Sequence, residues 1–200
     1  MSKMHSWERG GELFDRIVSK SFYNEKEARD TCKILLRPSG SAIPSRWRTA
    51  TLKPENLLLQ SEDSDSAHQD CRLRLLQEVL TPNSLTTQCG TPGYVAPRSL
   101  EGLHYDTKAD MWSPGVIMYI ILGGYPPFIE QNQRELFRKI RKGHLLTVQP
   151  SKRITADQAL QHKWMLQDAS VLAAQDLGAN LSELRKYNAK RGSSRLPSTL

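Results

Sequence analysis

The sequence has little cysteine and few aromatics, and it holds no long apolar run. Its three cysteines, Cys32, Cys71 and Cys89, are an odd number without metal-ligand spacing. That argues against a disulfide framework and for a reducing compartment, so a cytoplasmic location is expected. The longest apolar run, 115–122, has the length of a buried helix segment. It is far short of the ~18 residues of a membrane span, so no membrane partner is expected. Residues 1–10 lack the apolar stretch of a secretory leader. The five histidines fall at no ligand spacing, which leaves no case for a His-based metal site. Aromatics are 7% and hydrophobic residues 38% of the 200 positions, enough for one domain with a thin core.

Charge is the one excess. The formal net charge is +7, which in isolation points to nucleic acid or another anionic surface. Its placement points elsewhere. Arg37, Arg46, Arg48, Arg72, Arg74 and Arg98 all lie in irregular stretches, and a basic pI alone is a weak footprint, so no nucleic-acid partner is expected.

Several segments carry clear local signals. Leu13, Phe14, Ile17 and Val18 recur at helix spacing. Asn24 followed by Glu27 reads as an N-cap with a capping box, opening a second helix to about Leu36. Residues 52–59 (LKPENLLL) read as a turn and a short apolar strand. Residues 110–122 read as a helix, with Pro114 tolerable only near its first turn. Residues 134–142 read as a basic amphipathic helix and 155–162 as a short helix capped by Thr155. Residues 181–191 form a basic helical tail, and 192–200 are expected to be disordered. By contrast, 37–51, 68–77 and 81–97 show no clear period.

Five of these segments together resemble a eukaryotic Ser/Thr protein kinase of the calcium/calmodulin-dependent group. They are GGELFDRIV (10–18), LKPENLLL (52–59), CGTPGYVAP (89–97), DMWSPGVIMYIILGGYPPF (110–128) and RITADQALQHKWM (153–165), in the order of that family. The resemblance implies a mainly α partial kinase fold, the large C-terminal lobe of an α+β family, over 10–168. Residues 1–9 stay unassigned, and 169–200 resemble the start of an autoregulatory tail.

The resemblance also implies site roles. Glu12 would meet a basic residue of a protein substrate, and Thr91 would line the substrate pocket. Lys53 would offset charge on the transferred phosphoryl group. Glu55 and Asn56 would belong to the cofactor-binding set for ATP and Mg²⁺, with Asn56 as a metal ligand. Thr87 falls at the activation-loop phosphorylation position. Asp110 would hold the catalytic loop's backbone, and Arg153 would pair with the Glu of an A-P-E motif. Calmodulin is a partner the group implies, although the tail turns to GSSRLPSTL where apolar anchors should follow.

The departures from that pattern decide the chemistry. Thr51 stands where H-R-D-L-K-P-E-N places its catalytic Asp, and a Thr hydroxyl cannot act as that base at neutral pH. No D-F-G occurs in 59–86, and the 200 residues contain no G-x-G-x-x-G-x-V or V-A-I-K, so the small lobe is expected to be absent. A-P-E reads Ala96-Pro97-Arg98, which would set two cations face to face if Arg98 meets Arg153. A block of about two helices is missing between Gly143 and Arg153. Such a chain is expected to be catalytically impaired.

A shifted reading frame accounts for two of the losses. His68 to Leu75 can be encoded CAT CAA GAT TGC CGA CTT CGG CTT C. One nucleotide later the same bases read I-K-I-A-D-F-G-F. Trp47 to Thr51 can likewise hide V-A-H-R-D. Three readings follow: an impaired kinase, a non-catalytic pseudokinase-like interaction module, or a product without function.

Overall fold

The computed structural model describes residues 11–36, 53–59, 73–75, 92–94, 96–97, 111–130, 132–143 and 146–193. These residues are mainly helical, with one short antiparallel ribbon. Among them no helix is long and apolar enough to cross a membrane.

The first two helices are α1 (Leu13–Ser19) and α2 (Glu25–Leu36). Asn24 caps α2 as its side chain predicts, the Oδ1 accepting from the Glu27 N–H at 3.0 Å. Phe14 and Ile17 of α1 are buried, as are Ala28, Cys32 and Leu36 of α2. Arg29 is also buried, and its guanidinium donates to the Gln167 carbonyl at 2.7 Å and to Asp30. Both interactions satisfy a charge that burial alone would make costly.

Pro54 opens a 3-10 turn, Pro54–Asn56, where its fixed φ fits and its missing N–H costs nothing. The chain then enters β1 (Leu57–Leu59), which pairs with β2 (Leu73–Leu75) in antiparallel register, Leu57 opposite Leu75 and Leu59 opposite Leu73. The sequence around Leu73 shows no clear period over ten residues, yet its three-residue L-R-L alternation suffices for a strand beside β1. The Leu59 N–H also donates to the Gly11 carbonyl at 3.0 Å. That bond lays the entry of α1 alongside β1 and brings Glu12 toward Glu55.

Helix α3 (Trp112–Gly123) is the most apolar element, with Trp112, Val116, Ile117, Ile120 and Ile121 all buried. Pro114 sits in its first turn, where no intrahelical N–H is needed. Gly124 ends it in a left-handed conformation, φ 81°. A Cβ there would lie 2.2 Å from the Asn180 carbonyl oxygen, so the position needs glycine twice over. Helix α4 (Gln133–Lys142) starts on an Asn132 cap and stops at Gly143, φ 61°. The short connection that follows is closely packed. Leu146 and Val148 fold back on Gly143, and Leu146 also contacts Gly115.

Four further helices follow among the described residues: α5 (Ala156–Leu160), α6 (Lys163–Leu166), α7 (Ala169–Ala173) and α8 (Gly178–Ser193). Thr155 and Gln158 form a full capping box on α5. Helix α2 packs against α3, α5, α6 and α7, while α8 packs against α1 and α3. Helix α8 is longer than the basic tail suggests: it starts at Gly178 and includes Gly192, which the composition places in disorder. Leu181 and Leu184 are buried in the same core as Phe14, Ile117 and Ile120.

One core residue carries an avoidable cost. Tyr23 is 1% exposed, and its hydroxyl has no hydrogen-bond partner among the described residues. Burial pushes this phenol well above its ordinary pKa, helped by Cys32 and Glu27 nearby. An unsatisfied buried hydroxyl costs about 1 kcal/mol or more. Tyr23→Phe is therefore expected to raise the thermal midpoint by about 2–4 °C, measured by circular dichroism. A lower midpoint would show that the hydroxyl has a partner worth keeping.

Candidate functional site

Glu12 is the N-cap residue of α1, yet its side chain makes no cap hydrogen bond. It reaches across instead to α8, where Arg191 Nη2 donates to Glu12 Oε2 at 2.7 Å. Glu55, in the Pro54–Asn56 turn, accepts from Arg191 Nη1 at 3.3 Å. Asn188 Oδ1 takes further donors of the same guanidinium, from Nη2 at 2.7 Å and Nε at 3.2 Å. The Arg191 carbon lies 5.3 Å from the centroid of Phe14, inside the range of a cation–π contact.

This arrangement follows from helix geometry. Residues 185, 188 and 191 share one stripe of α8 at i, i+3, i+6. They meet α1 in reverse order. Arg185 donates to the Val18 and Lys20 carbonyls at 3.0 and 2.6 Å, and Asn188 to Asp15 at 2.7 Å. Arg191 then reaches Glu12. The two helices thus run antiparallel, and Arg185 satisfies carbonyls that the end of α1 leaves open.

The Arg191 side chain is only 9% exposed, against 19% for Glu12 and 29% for Glu55. A guanidinium so enclosed is tolerable because two carboxylates, an amide and a ring face surround it. Beside it, Tyr94 and Tyr187 share a hydrogen bond between their hydroxyls. Tyr94 is held well above the ordinary phenol pKa. Burial is the main cause, followed by Tyr187 and Glu55, with Arg191 opposing.

The structure therefore joins Glu12 and Glu55, and the basic group between them belongs to this chain's own tail. Lys53 lies in extended backbone just before the turn that holds Glu55. Asn56 closes that turn. Thr51, Thr87, Thr91, Arg98 and Asp110 lie outside the described residues. Arg153 is buried, donating to the Thr147 and Val148 carbonyls at 2.7 and 2.8 Å, with its guanidinium 5.1 Å from the Trp112 ring centroid. It thereby anchors the short connection that follows α4.

Sequence reasoning missed Arg191, Tyr94 and Tyr187. The available signal was the spacing of Leu181, Leu184 and Tyr187, which marks an apolar face on a segment read as basic.

A hard cation such as Mg²⁺ takes oxygen ligands, mostly carboxylates. Among the described residues no three His, Cys, Asp or Glu side chains cluster, and both Glu12 and Glu55 face Arg191. The side chain of Asn56, the metal ligand that the family pattern implies, lies outside the described residues.

The chain belongs to the protein kinase domain family, which it matches over residues 6–145. Two relatives narrow this to the Ser/Thr kinases of the calcium/calmodulin-dependent group. The chain is 38% identical over 200 residues to calcium/calmodulin-dependent protein kinase type 1 of Macrobrachium nipponense, covering 90% of this chain. It is 35% identical over 204 residues to calcium/calmodulin-dependent protein kinase type IV of Mus musculus, covering 91% of this chain. It spans 57% of the first relative's length and 43% of the second's. The family uses ATP and Mg²⁺ and acts on proteins.

Proposed function

We propose that this chain is a kinase-lineage lobe impaired in phosphoryl transfer, which binds basic segments of proteins through Glu12 and Glu55. One observation carries the binding half: the two carboxylates already hold an arginine, Arg191, in a nearly enclosed site. Carboxylates arranged around one guanidinium suit another, since Arg pairs with carboxylates in a fixed fork geometry. The impairment half rests on Thr51 at the base position and on the missing D-F-G, both internal to the sequence. ATP and Mg²⁺ belong to the family, and in this reading the chain makes little use of either. A cytoplasmic location goes with it, supported by the odd count of three cysteines without metal-ligand spacing. Calmodulin is not needed for this reading.

An arginine-rich peptide must compete with Arg191 for the acids. Arg191→Ala is thus expected to tighten binding of a fluorescent hexa-arginine peptide about tenfold, the scale of one charge-assisted hydrogen bond. Glu12→Gln in the same background should reverse most of that gain. Anisotropy titration at two salt concentrations reads both. Equal affinity in all three proteins would overturn the reading.

A further inference from the structure

Helix α8 touches a second element at this site. Tyr187 lies four residues before Arg191, on the same face of the helix. Its ring meets Phe14 edge-on, centroids 6.5 Å apart and planes at 64°. Its hydroxyl reaches the hydroxyl of Tyr94. Tyr94 ends the 3-10 turn Pro92–Tyr94 and is 2% exposed. Its carbonyl accepts from Ser113 Oγ at 2.9 Å, which ties the turn to α3. The far end of the same side chain is tied to α8. Tyr94 is thus tied at both ends, its carbonyl to α3 and its hydroxyl to the tail.

A phenol hydroxyl inside a protein costs free energy when it loses its partner, because water cannot replace the lost bond. Tyr187 supplies that partner with an atom a phenylalanine would lack. We propose that Tyr187 is a positioning residue for the Pro92–Tyr94 turn, acting through the Tyr94 hydroxyl. The turn follows Thr91, which the family pattern places in the substrate pocket. The tail therefore supports this wall of the site as well as filling its acidic pair.

A consequence follows that rests on the proposed binding of basic segments. Tyr187 and Arg191 lie on consecutive turns of one helix. A basic ligand that lifts Arg191 from Glu12 and Glu55 also draws the Tyr187 hydroxyl away from Tyr94. Filling of the acidic pair by an outside arginine and order of the turn then oppose each other.

Amide hydrogen exchange of the full chain, read by mass spectrometry on the segment 92–97, tests this. Tyr187→Phe removes one oxygen and keeps the ring against Phe14. It is expected to speed exchange in 92–97 about tenfold, the scale of a lost buried hydrogen bond, with α1, α3 and 178–184 unchanged. In a Tyr94→Phe background the same substitution should add nothing, because the partner hydroxyl is already gone. Unchanged exchange in Tyr187→Phe overturns the proposal. So does equal acceleration in every helix, or a full effect that persists with Tyr94→Phe.

Saturating hexa-arginine peptide on the unaltered chain should reproduce the acceleration in 92–97. A peptide that binds by anisotropy and leaves the segment unchanged overturns the coupling. A peptide that does not bind overturns the reading of the acidic pair, while the double-mutant result still decides the role of Tyr187.

Discussion

Purified chain incubated with Mg·ATP and a basic Ser/Thr peptide transfers no phosphate above the background of the peptide alone. The expectation follows from two internal losses. A positioned general base contributes typically about 10²–10⁴-fold, and Thr51 cannot supply it. Phosphoryl transfer otherwise depends on positioning and on neutralising charge, which the D-F-G aspartate does through Mg²⁺. In 59–86 that motif is absent, and Leu73–Leu75 forms a strand against Leu57–Leu59. The combined deficit should exceed about 10⁴-fold, beyond recovery by Thr51→Asp alone, because the metal-binding aspartate stays missing. A radiolabelled phosphotransfer assay checks both proteins. Activity in the unaltered chain that disappears with Lys53→Ala would overturn the impairment, since the family pattern gives Lys53 the role of offsetting phosphoryl charge.

Local signals in the sequence were reliable where one side chain meets one backbone group. Asn24 and Thr155 cap the helices they precede, although the Glu27 carboxylate turns to Lys20 instead of closing a box on Asn24, and Pro114 marks the first turn of α3. Such signals need only three or four consecutive residues, so a linear reading captures them. The placement of α8 is of another kind. Its seat on α1 depends on the antiparallel matching of Arg185, Asn188 and Arg191 with partners more than 160 positions away. The pairing of Tyr94 with Tyr187 is equally non-local. The strand Leu73–Leu75 escaped because three residues are too few to establish a period. The acidic pair was half legible. Glu12 stood out through the family pattern, and Glu55 came with the K-P-E-N turn. That one arginine would bridge them follows only from the bond between Leu59 and Gly11, which sets the two segments side by side.

The tail helix divides into a half that builds the fold and a half that fills the site, and truncation should separate them. Leu181 and Leu184 are 2% and 1% exposed, in the core shared with α1 and α3. Each fully buried leucine contributes about 1.5–3 kcal/mol. Asn180 also donates to the Leu122 carbonyl at 2.6 Å, and the chain passes so close to Gly124 that no side chain fits there. Deleting residues 178–200 removes all of this and uncovers Phe14 and Ile120 as well. The loss, about 5 kcal/mol or more from area alone, rivals the whole stability of an ordinary domain, about 5–15 kcal/mol. The shortened chain is expected to lose its cooperative thermal transition and to bind a hydrophobic dye.

Deleting only 188–200 spares Leu181, Leu184 and Tyr187. It removes Arg191, and Glu12 and Glu55 are exposed enough to be rehydrated once their partner is gone. The cost should be about 1–3 kcal/mol, below that of the longer deletion, because the carboxylates left behind are more exposed than the arginine they lose. That chain should melt cooperatively, a few degrees lower, and bind hexa-arginine more tightly. Two equal melting losses would mean that Arg191 stabilises the fold as strongly as the leucines do. The acidic pair would then be a structural clasp, and no peptide could displace Arg191 without unfolding the lobe.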